Sequence, residues 1–304
     1  MSRFSSSQLK IIIFGHQGFV GSYCYQSLKN IFHSKVIGFS SKGLDLTNPS
    51  SVRKLIRLFD SNTVVLFLSA ITREERDDLT SFAMNMSMVD HVAQALERKR
   101  IKKFIFMSTI SVYGEALKQG LISQNTDPKP DSLYGLAKFH GEFLIKKACA
   151  KQKTPYLILR MPRVYGAGDE KAKYGPSQFV RTAVLEKKVV LYGDGKEKRA
   201  FLFIEDIIDL LLDNIVNKSQ GLVNFVPSTT HSYDEVVRLI KELVPALRVQ
   251  HRLQTNPTRN EKFDNHLFRK TFPGFIFTPL KEGITKTYHQ QIGLNQSSWQ
   301  KSIY

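Results

Sequence analysis

Lys10-Ile11-Ile12-Ile13-Phe14-Gly15-His16-Gln17-Gly18-Phe19-Val20-Gly21 is the stretch that decides the fold. Its first five residues form a β-rich run, a glycine triplet follows at once, and Val20 to Asn30 reads as a helix. Gly15 permits a tight turn, Gly18 lets an outside group approach the backbone, and Gly21 lets helix and strand pack closely. The helix N-terminus favours negative charge, so the pyrophosphate of a dinucleotide suits the turn. A purely structural turn is the competing reading; the strand before it and the helix after it favour the dinucleotide site.

Outward from this unit the chain keeps the same alternation. Strands read at about residues 10–14, 35–39, 63–68, 103–108 and 155–159, separated by helical stretches. That βαβα order predicts an α/β fold, a Rossmann-type doubly wound parallel sheet. From Arg163 Gly and Pro thicken and the alternation fades. We therefore expect a NAD(P)-binding domain over 1–162, with returns to the main sheet at Phe201–Ile204 and Leu222–Val226, and mainly a substrate-binding lobe over 163–304. A short Ser-rich start reads as frayed.

Composition limits the possibilities. A chain of 304 residues with 42% hydrophobic content can bury the core of one large domain and a smaller lobe. Two cysteines, Cys24 and Cys149, cannot staple such a chain and read as helix packing in a reducing compartment. No apolar run approaches the roughly 20 residues that span a bilayer, so a cytoplasmic protein without membrane segments is expected, and no metal. The net charge of +17 gathers at Arg98-Lys99-Arg100 with Lys102-Lys103, at Lys146-Lys147 with Lys151 and Lys153, and at Lys196 with Lys198-Arg199. Such clusters attract an anionic ligand or a polyanion, yet mostly read as solvated helix faces; with no aromatic residues interleaved, nucleic acid is disfavoured.

The chemistry lies in a second pair of segments. Phe104-Ile105-Phe106-Met107-Ser108-Thr109 is an apolar run that delivers hydroxyls at the carboxyl end of a buried strand, where open α/β sheets place their sites. Tyr134-Gly-Leu-Ala-Lys138 then sets a phenol and an ammonium four apart on one helix face. An ammonium favours the phenolate, which takes a proton from an alcohol as a hydride leaves the same carbon, while Thr109 holds the oxygen. A Tyr-X-X-X-Lys pair is expected about once by chance in a chain this rich in both residues, so the glycine turn is needed beside it.

With these motifs in order, the chain resembles the extended short-chain dehydrogenase/reductase family, most of whose members modify nucleotide-sugars. The resemblance rests on the Gly-X-X-Gly-X-X-Gly turn, Asp45-Leu46, Ser108-Thr109-X-X-Val112-Tyr113-Gly114, Tyr134 with Lys138, Asn85, Leu159–Gly166, Tyr192–Phe201, Ile204-Glu205-Asp206 and the tail from Asp264 to Ile284. It implies Thr109, Tyr134 and Lys138 as catalytic residues. For cofactor binding it implies Gly15, Gln17, Gly18, Phe19, Val20, Gly21, Ser40, Lys42, Asp45, Leu46, Ser69, Ala70, Asn85 and Pro162, joined by Tyr134 and Lys138. Ser111, Arg163, Tyr192 and Arg199 are the implied substrate contacts, with Arg199 as a diphosphate clamp against the alternative of a surface charge. A homodimer is also expected.

Departures from the family pattern narrow the reaction. Its dehydratases carry Asp-Glu directly after the catalytic Thr, where this chain has Ile110-Ser111, and its epimerising reductases carry a cysteine where Ser111 stands. A 4-epimerase is the favoured reading, a 4-ketoreductase consuming NADPH the runner-up, and a non-catalytic dinucleotide- or nucleic-acid-binding protein a distant third. The second strand ends in Ser40-Ser41-Lys42 without a carboxylate, which leans toward NADP over NAD. Arg163 replaces a customary Asn and suits a phosphate or a sugar carboxylate.

Overall fold

The computed structural model describes residues 9–118, 120–215, 219–254, 258 and 260–301; the Ser-rich start lies outside the described residues. The first half runs β1 (Lys10–Phe14), α1 (Phe19–Phe32), β2 (Val36–Phe39), α2 (Ser51–Leu58), β3 (Thr63–Phe67), α3 (Leu79–Leu96), β4 (Lys103–Thr109), β5 (Leu121–Ile122), α4 (Leu133–Lys151) and β6 (Tyr156–Met161). The second runs β7 (Arg163–Tyr165), α5 (Pro176–Glu186), β8 (Lys188–Tyr192), β9 (Lys198–Arg199), β10 (Phe201–Phe203), α6 (Ile204–Asn214), β11 (Gly221–Asn224), β12 (His231–Ser232), α7 (Tyr233–Leu243), β13 (Arg248–Arg252), β14 (Lys262–Phe263), α8 (His266–Thr271) and α9 (Leu280–Lys301).

Six strands form the central parallel sheet in the order β11-β6-β4-β3-β1-β2. Continuous apolar runs explain it, since β3 and β4 are buried along their whole length, as strands covered on both faces must be. Alternate residues serve opposite faces. Ile11, Ile13, Val64, Leu66, Ile105 and Leu157 join one core layer, whereas Ile12, Phe14, Val65, Phe67, Phe104 and Ile158 join the other. The first layer continues into Phe179, Val189, Val236, Ile240 and Phe268 of the C-terminal elements, so these share a core with the sheet.

The chain leaves the sheet at Pro162, which lacks the N–H that a continuing ladder requires. Consequently the return expected at Phe201–Ile204 does not join the main sheet: β10 follows β7 into a separate parallel pair, with Phe201 opposite Arg163. The later return is present, since β11 pairs with β6.

β1 lies between β2 and β3, and β2 and β3 extend the sheet in opposite directions. Doubly wound sheets bind ligands at such a switch point, outside the carboxyl ends of the strands. The glycine turn follows β1 there. Gly15 has φ of +84°, and a Cβ on it would stand 2.8 Å from the backbone nitrogen of Ser69. A Cβ on Gly21 would lie 2.0 Å from the Gly15 carbonyl oxygen. Gly18 differs. It has φ of −73°, open to any residue, and its Cβ would meet nothing nearer than the Gly15 oxygen at 3.4 Å.

Gly21→Ala is therefore expected to destabilise the protein by about 1–3 kcal/mol through overpacking against rigid backbone. Gly18→Ala should leave the midpoint of urea unfolding where it is, and equal midpoints for the two variants would refute this account of the turn.

Candidate active site

α4 starts at Ser132, whose hydroxyl accepts the Gly135 N–H at 3.1 Å, a helix cap that places Tyr134 in the first turn. The Tyr134 amide in turn donates to Asp77 Oδ1 at 2.9 Å, tying the loop after β3 to the start of this helix. Lys138 follows one turn later. Its ammonium is buried, donates to the Met107 carbonyl at 2.7 Å and lies 6.0 Å from the centroid of the Tyr134 ring. Thr109 ends β4, and its hydroxyl is 3.2 Å from Ser111 Oγ and accepts the Ser111 N–H at 3.1 Å.

Electrostatics sets the resting state. Burial, and after it the negative charge of Glu74, push the Tyr134 phenol well above its ordinary value. The phenol therefore keeps its proton at neutral pH. Burial pushes Lys138 down to about 8, with Glu142 acting in the opposite direction. The ammonium is therefore charged below about 8 and neutral above it.

Beneath these residues lies a polar network that the sequence did not announce. Arg160 of β6 and Glu142 of α4 are 4% and 1% exposed, and their guanidinium and carboxylate meet in two bonds, Nε to Oε1 at 2.9 Å and Nη2 to Oε2 at 2.6 Å. Ser108 donates to Glu142 at 2.6 Å, Arg160 Nη1 donates to the Tyr113 hydroxyl at 2.8 Å, and Tyr113 donates to Asn224 Oδ1 at 2.7 Å. The one signal available beforehand was spacing, because Glu142 follows Lys138 by four residues and Tyr134 by eight.

The remaining expected residues divide into two groups. Gln17 and Gly18 are exposed at the turn, Phe19 and Val20 are half-buried behind it, and Ser69 and Ala70 continue β3 beside Gly15. Lys42 is exposed in a tight turn in which Ser40 O accepts the Gly43 and Leu44 amides, and Pro162 is buried between β6 and β7. Others are engaged within the chain. Asn85 clamps Ile71, accepting its N–H at 2.8 Å and donating to its carbonyl at 2.9 Å. Asp45 accepts both the amide and the hydroxyl of Thr47, which holds its carboxyl below the usual range, and Leu46 is in the core. Arg199 donates to Glu261 at 2.8 Å and pairs with Glu197, leaving its Nε buried without a partner. Arg163, 43% exposed, reaches Glu261 at 3.8 Å. Tyr192 is exposed, with its amide on the Tyr174 hydroxyl. A cavity of about 580 Å³ lies among β10, α8 and the loop before α9, and none of these expected site residues lines it.

The site fits a dinucleotide on one observation in particular. Glycine at 18 answers no packing need of the chain itself, and a side chain there would fill the open face of the turn. Among the described residues no group of His, Cys, Asp and Glu could hold a metal ion, and no helix is long and apolar enough to cross a membrane.

The sequence profile of the NAD dependent epimerase/dehydratase family matches residues 11–224. An uncharacterized UDP-glucose epimerase of Bacillus subtilis, YtcB, is 30% identical over 226 residues, 66% of this chain and 70% of that protein. A dTDP-D-glucose 4,6-dehydratase of Homo sapiens is 24% identical over 317 residues, 91% of this chain and 88% of its own. Two solved structures share the fold. A UDP-N-acetylglucosamine 4-epimerase from Methanobrevibacter ruminantium superposes with a TM-score of 0.82 at 19% identity, covering 94% of this chain and 99% of its own. UDP-glucuronic acid 4-epimerase from Bacillus cereus, in complex with UDP-glucuronic acid and NAD, gives 0.77 at 22% identity, with 94% and 100% covered.

Removing the charge of Glu142 leaves a buried guanidinium uncompensated, a loss of about 3–5 kcal/mol. Urea unfolding of Glu142→Gln should show it, and Glu142→Leu combined with Arg160→Met should recover most of the loss. A midpoint of Glu142→Gln within error of the parent would show that the pair carries no such weight.

Proposed function

Because the chain belongs to the NAD dependent epimerase/dehydratase family, we propose that it is a nucleotide-sugar 4-epimerase with Thr109, Tyr134 and Lys138 as its catalytic residues. The observation that supports this reading is the position of Thr109 at the carboxyl end of β4 and of Tyr134 and Lys138 at the start of α4, with the Lys138 ammonium on the Met107 carbonyl, at the edge of the sheet where β1 also ends in a glycine turn whose Gly18 face is open. Bound there, a nicotinamide cofactor supplies the hydride acceptor and donor.

The chain's own groups handle the proton and the orientation. Tyr134 enters with its phenol protonated, the form that donates to a carbonyl oxygen when a ketone is reduced. In the oxidative direction the phenolate is needed, and the positive charge of Lys138 favours it. Thr109 holds the sugar oxygen as its bonding changes. Ile110 and Ser111 stand where an elimination would need an acid and a base, so a single oxidation and reduction at one carbon suits this chain better than dehydration. Arg163 and Arg199 would meet the diphosphate. Arg199 already has two carboxylate partners and only its buried Nε is unengaged, whereas Arg163 presents an exposed guanidinium.

One observation favours the second reading, an NADPH-dependent 4-ketoreductase. The turn after β2 carries Ser40, Ser41 and exposed Lys42 and no carboxylate, which suits a 2′-phosphate. The related structure named above carries NAD, so the choice rests on this turn alone.

Incubation with UDP-, GDP- and dTDP-hexoses should convert one of them to its 4-epimer without net oxidation of cofactor, and Tyr134→Phe should slow this by about 10²- to 10⁴-fold. Consumption of one NADPH per product would replace the epimerase with the ketoreductase, and full activity of Tyr134→Phe would remove the catalytic assignment. The rate should fall as pH rises through about 8, where Lys138 loses its proton.

Calorimetric titration tests the cofactor site separately. NADPH is expected to bind more tightly than NADH, Lys42→Asp should erase the difference, and Gly18→Val should fold yet bind neither. Equal affinities in the parent would place the ribose away from Lys42.

A further inference from the structure

The two largest basic clusters of the sequence converge in the fold, at the end of the sheet opposite the candidate active site. Residues 97–102 follow α3 and residues 147–155 end α4 and lead into β6. They are laced together. Lys151 pairs with Glu97 at 3.0 Å, Gln152 Nε2 donates to the Glu97 carbonyl at 2.6 Å, and the Ile101 amide reaches Thr154 Oγ1 at 3.4 Å. Within these two segments, all of them described, Arg98, Lys99, Arg100, Lys102, Lys147, Lys151 and Lys153 face a single carboxylate, Glu97, which Lys151 occupies. Six of the seven cations are exposed and Lys102 is half-buried.

A bland account of this charge is available. Cations at helix C-termini complement the helix dipole. That effect falls off within the last turn and calls for one or two cations per helix, whereas six of these seven lie beyond the ends of α3 and α4 or at the last residue of α4. Solubility needs net charge, but not charge gathered on one end of the molecule.

We propose that this end of the sheet docks on a planar anionic surface, namely the headgroups of an acidic phospholipid bilayer. In a doubly wound fold the helices run back against the strands, so the ends of α3 and α4 and the starts of β4 and β6 face the same way. Their cations form one end-face instead of lining a groove. The number of cations matches that of segments held at anionic leaflets by charge alone. Residues 97–102 and 147–155 hold no aromatic side chain, and the exposed ring of Phe143 beside them is engaged by the Lys147 ammonium 4.8 Å from its centroid, so these segments present no series of rings on which successive bases of single-stranded nucleic acid could stack. β4, seven residues long, separates the face from Thr109 by about 20 Å, which leaves the glycine turn and Tyr134 open to solvent ligands while the protein is docked. The proposal does not depend on which reaction the protein carries out.

Co-sedimentation with phosphatidylcholine vesicles, with and without phosphatidylglycerol, tests it. The protein should pellet with the phosphatidylglycerol vesicles at low salt and remain in solution with pure phosphatidylcholine or at high salt. The triple variant Arg98→Gln, Lys99→Gln, Arg100→Gln should bind roughly a hundredfold more weakly, at about fivefold per cation. A control with the same loss of charge, Lys241→Gln, Lys270→Gln, Lys281→Gln, should bind as the parent does. Thermal unfolding of both variants confirms that they are folded. Absence of binding to the acidic vesicles, or equal weakening by the control, overturns the proposal. So does tighter binding of a single-stranded RNA oligonucleotide than of the vesicles in the same buffer, which would identify a nucleic-acid surface.

Discussion

Arg160 and Glu142 face each other between β6 and α4, almost wholly removed from water. A charge buried there without its partner would be prohibitively unfavourable, so α4 has one rotation and one height against the sheet. Tyr134, Lys138 and Glu142 lie on one stripe of that helix, and fixing the last of them fixes the other two. Ser108 joins the same carboxylate from the end of β4, one residue before Thr109, and Tyr113 and Asn224 extend the contact to the turn after β4 and to β11. Stability and the geometry of the candidate catalytic groups thus have a common origin.

Several polar residues near the site are occupied inside the chain. Asn85 secures the backbone of Ile71, Asp45 secures Thr47, and Arg199 lies between Glu197 and Glu261. Buried polar groups such as Asn85 and Arg199 need partners in the ligand-free protein as well as in a complex. In the ligand-free protein Glu261 and Glu197 hold the two terminal nitrogens of Arg199, and its buried Nε has no hydrogen-bond partner.

Charge is distributed unevenly along the strand direction. The loop after β3 brings Glu74, Glu75, Asp77 and Asp78 to the carboxyl edge together with Arg73 and Arg76, which pair with Asp77 and Asp78, while Lys171 pairs with Glu75; there Asp77 also accepts the Tyr134 amide and Glu74 raises the Tyr134 phenol. The opposite end carries the converged cations of the α3 and α4 termini. A parallel sheet makes this separation possible, because all its strands begin at one end and finish at the other.

Much of the architecture was legible in residues 10–21 and in the apolar runs of β3, β4 and β6, because strand burial on both faces and a glycine turn before a helix each leave a local pattern. Tyr134, Lys138 and Thr109 were legible for the same reason, as spacing on one helix and position at a strand end. The pairings of Arg160 with Glu142, Asn85 with Ile71 and Arg199 with Glu261 were not, since they cross from 14 to 62 residues of chain and depend on how elements pack. Pairing of β10 with β7 was likewise decided by packing, once Pro162 had ended the ladder of β6. The sequence by itself determined which segments are strands and helices and which residue types meet at the carboxyl edge. Only the tertiary structure decided what each polar side chain bonds to and which basic clusters share a face, because those are contacts between segments that no local period encodes.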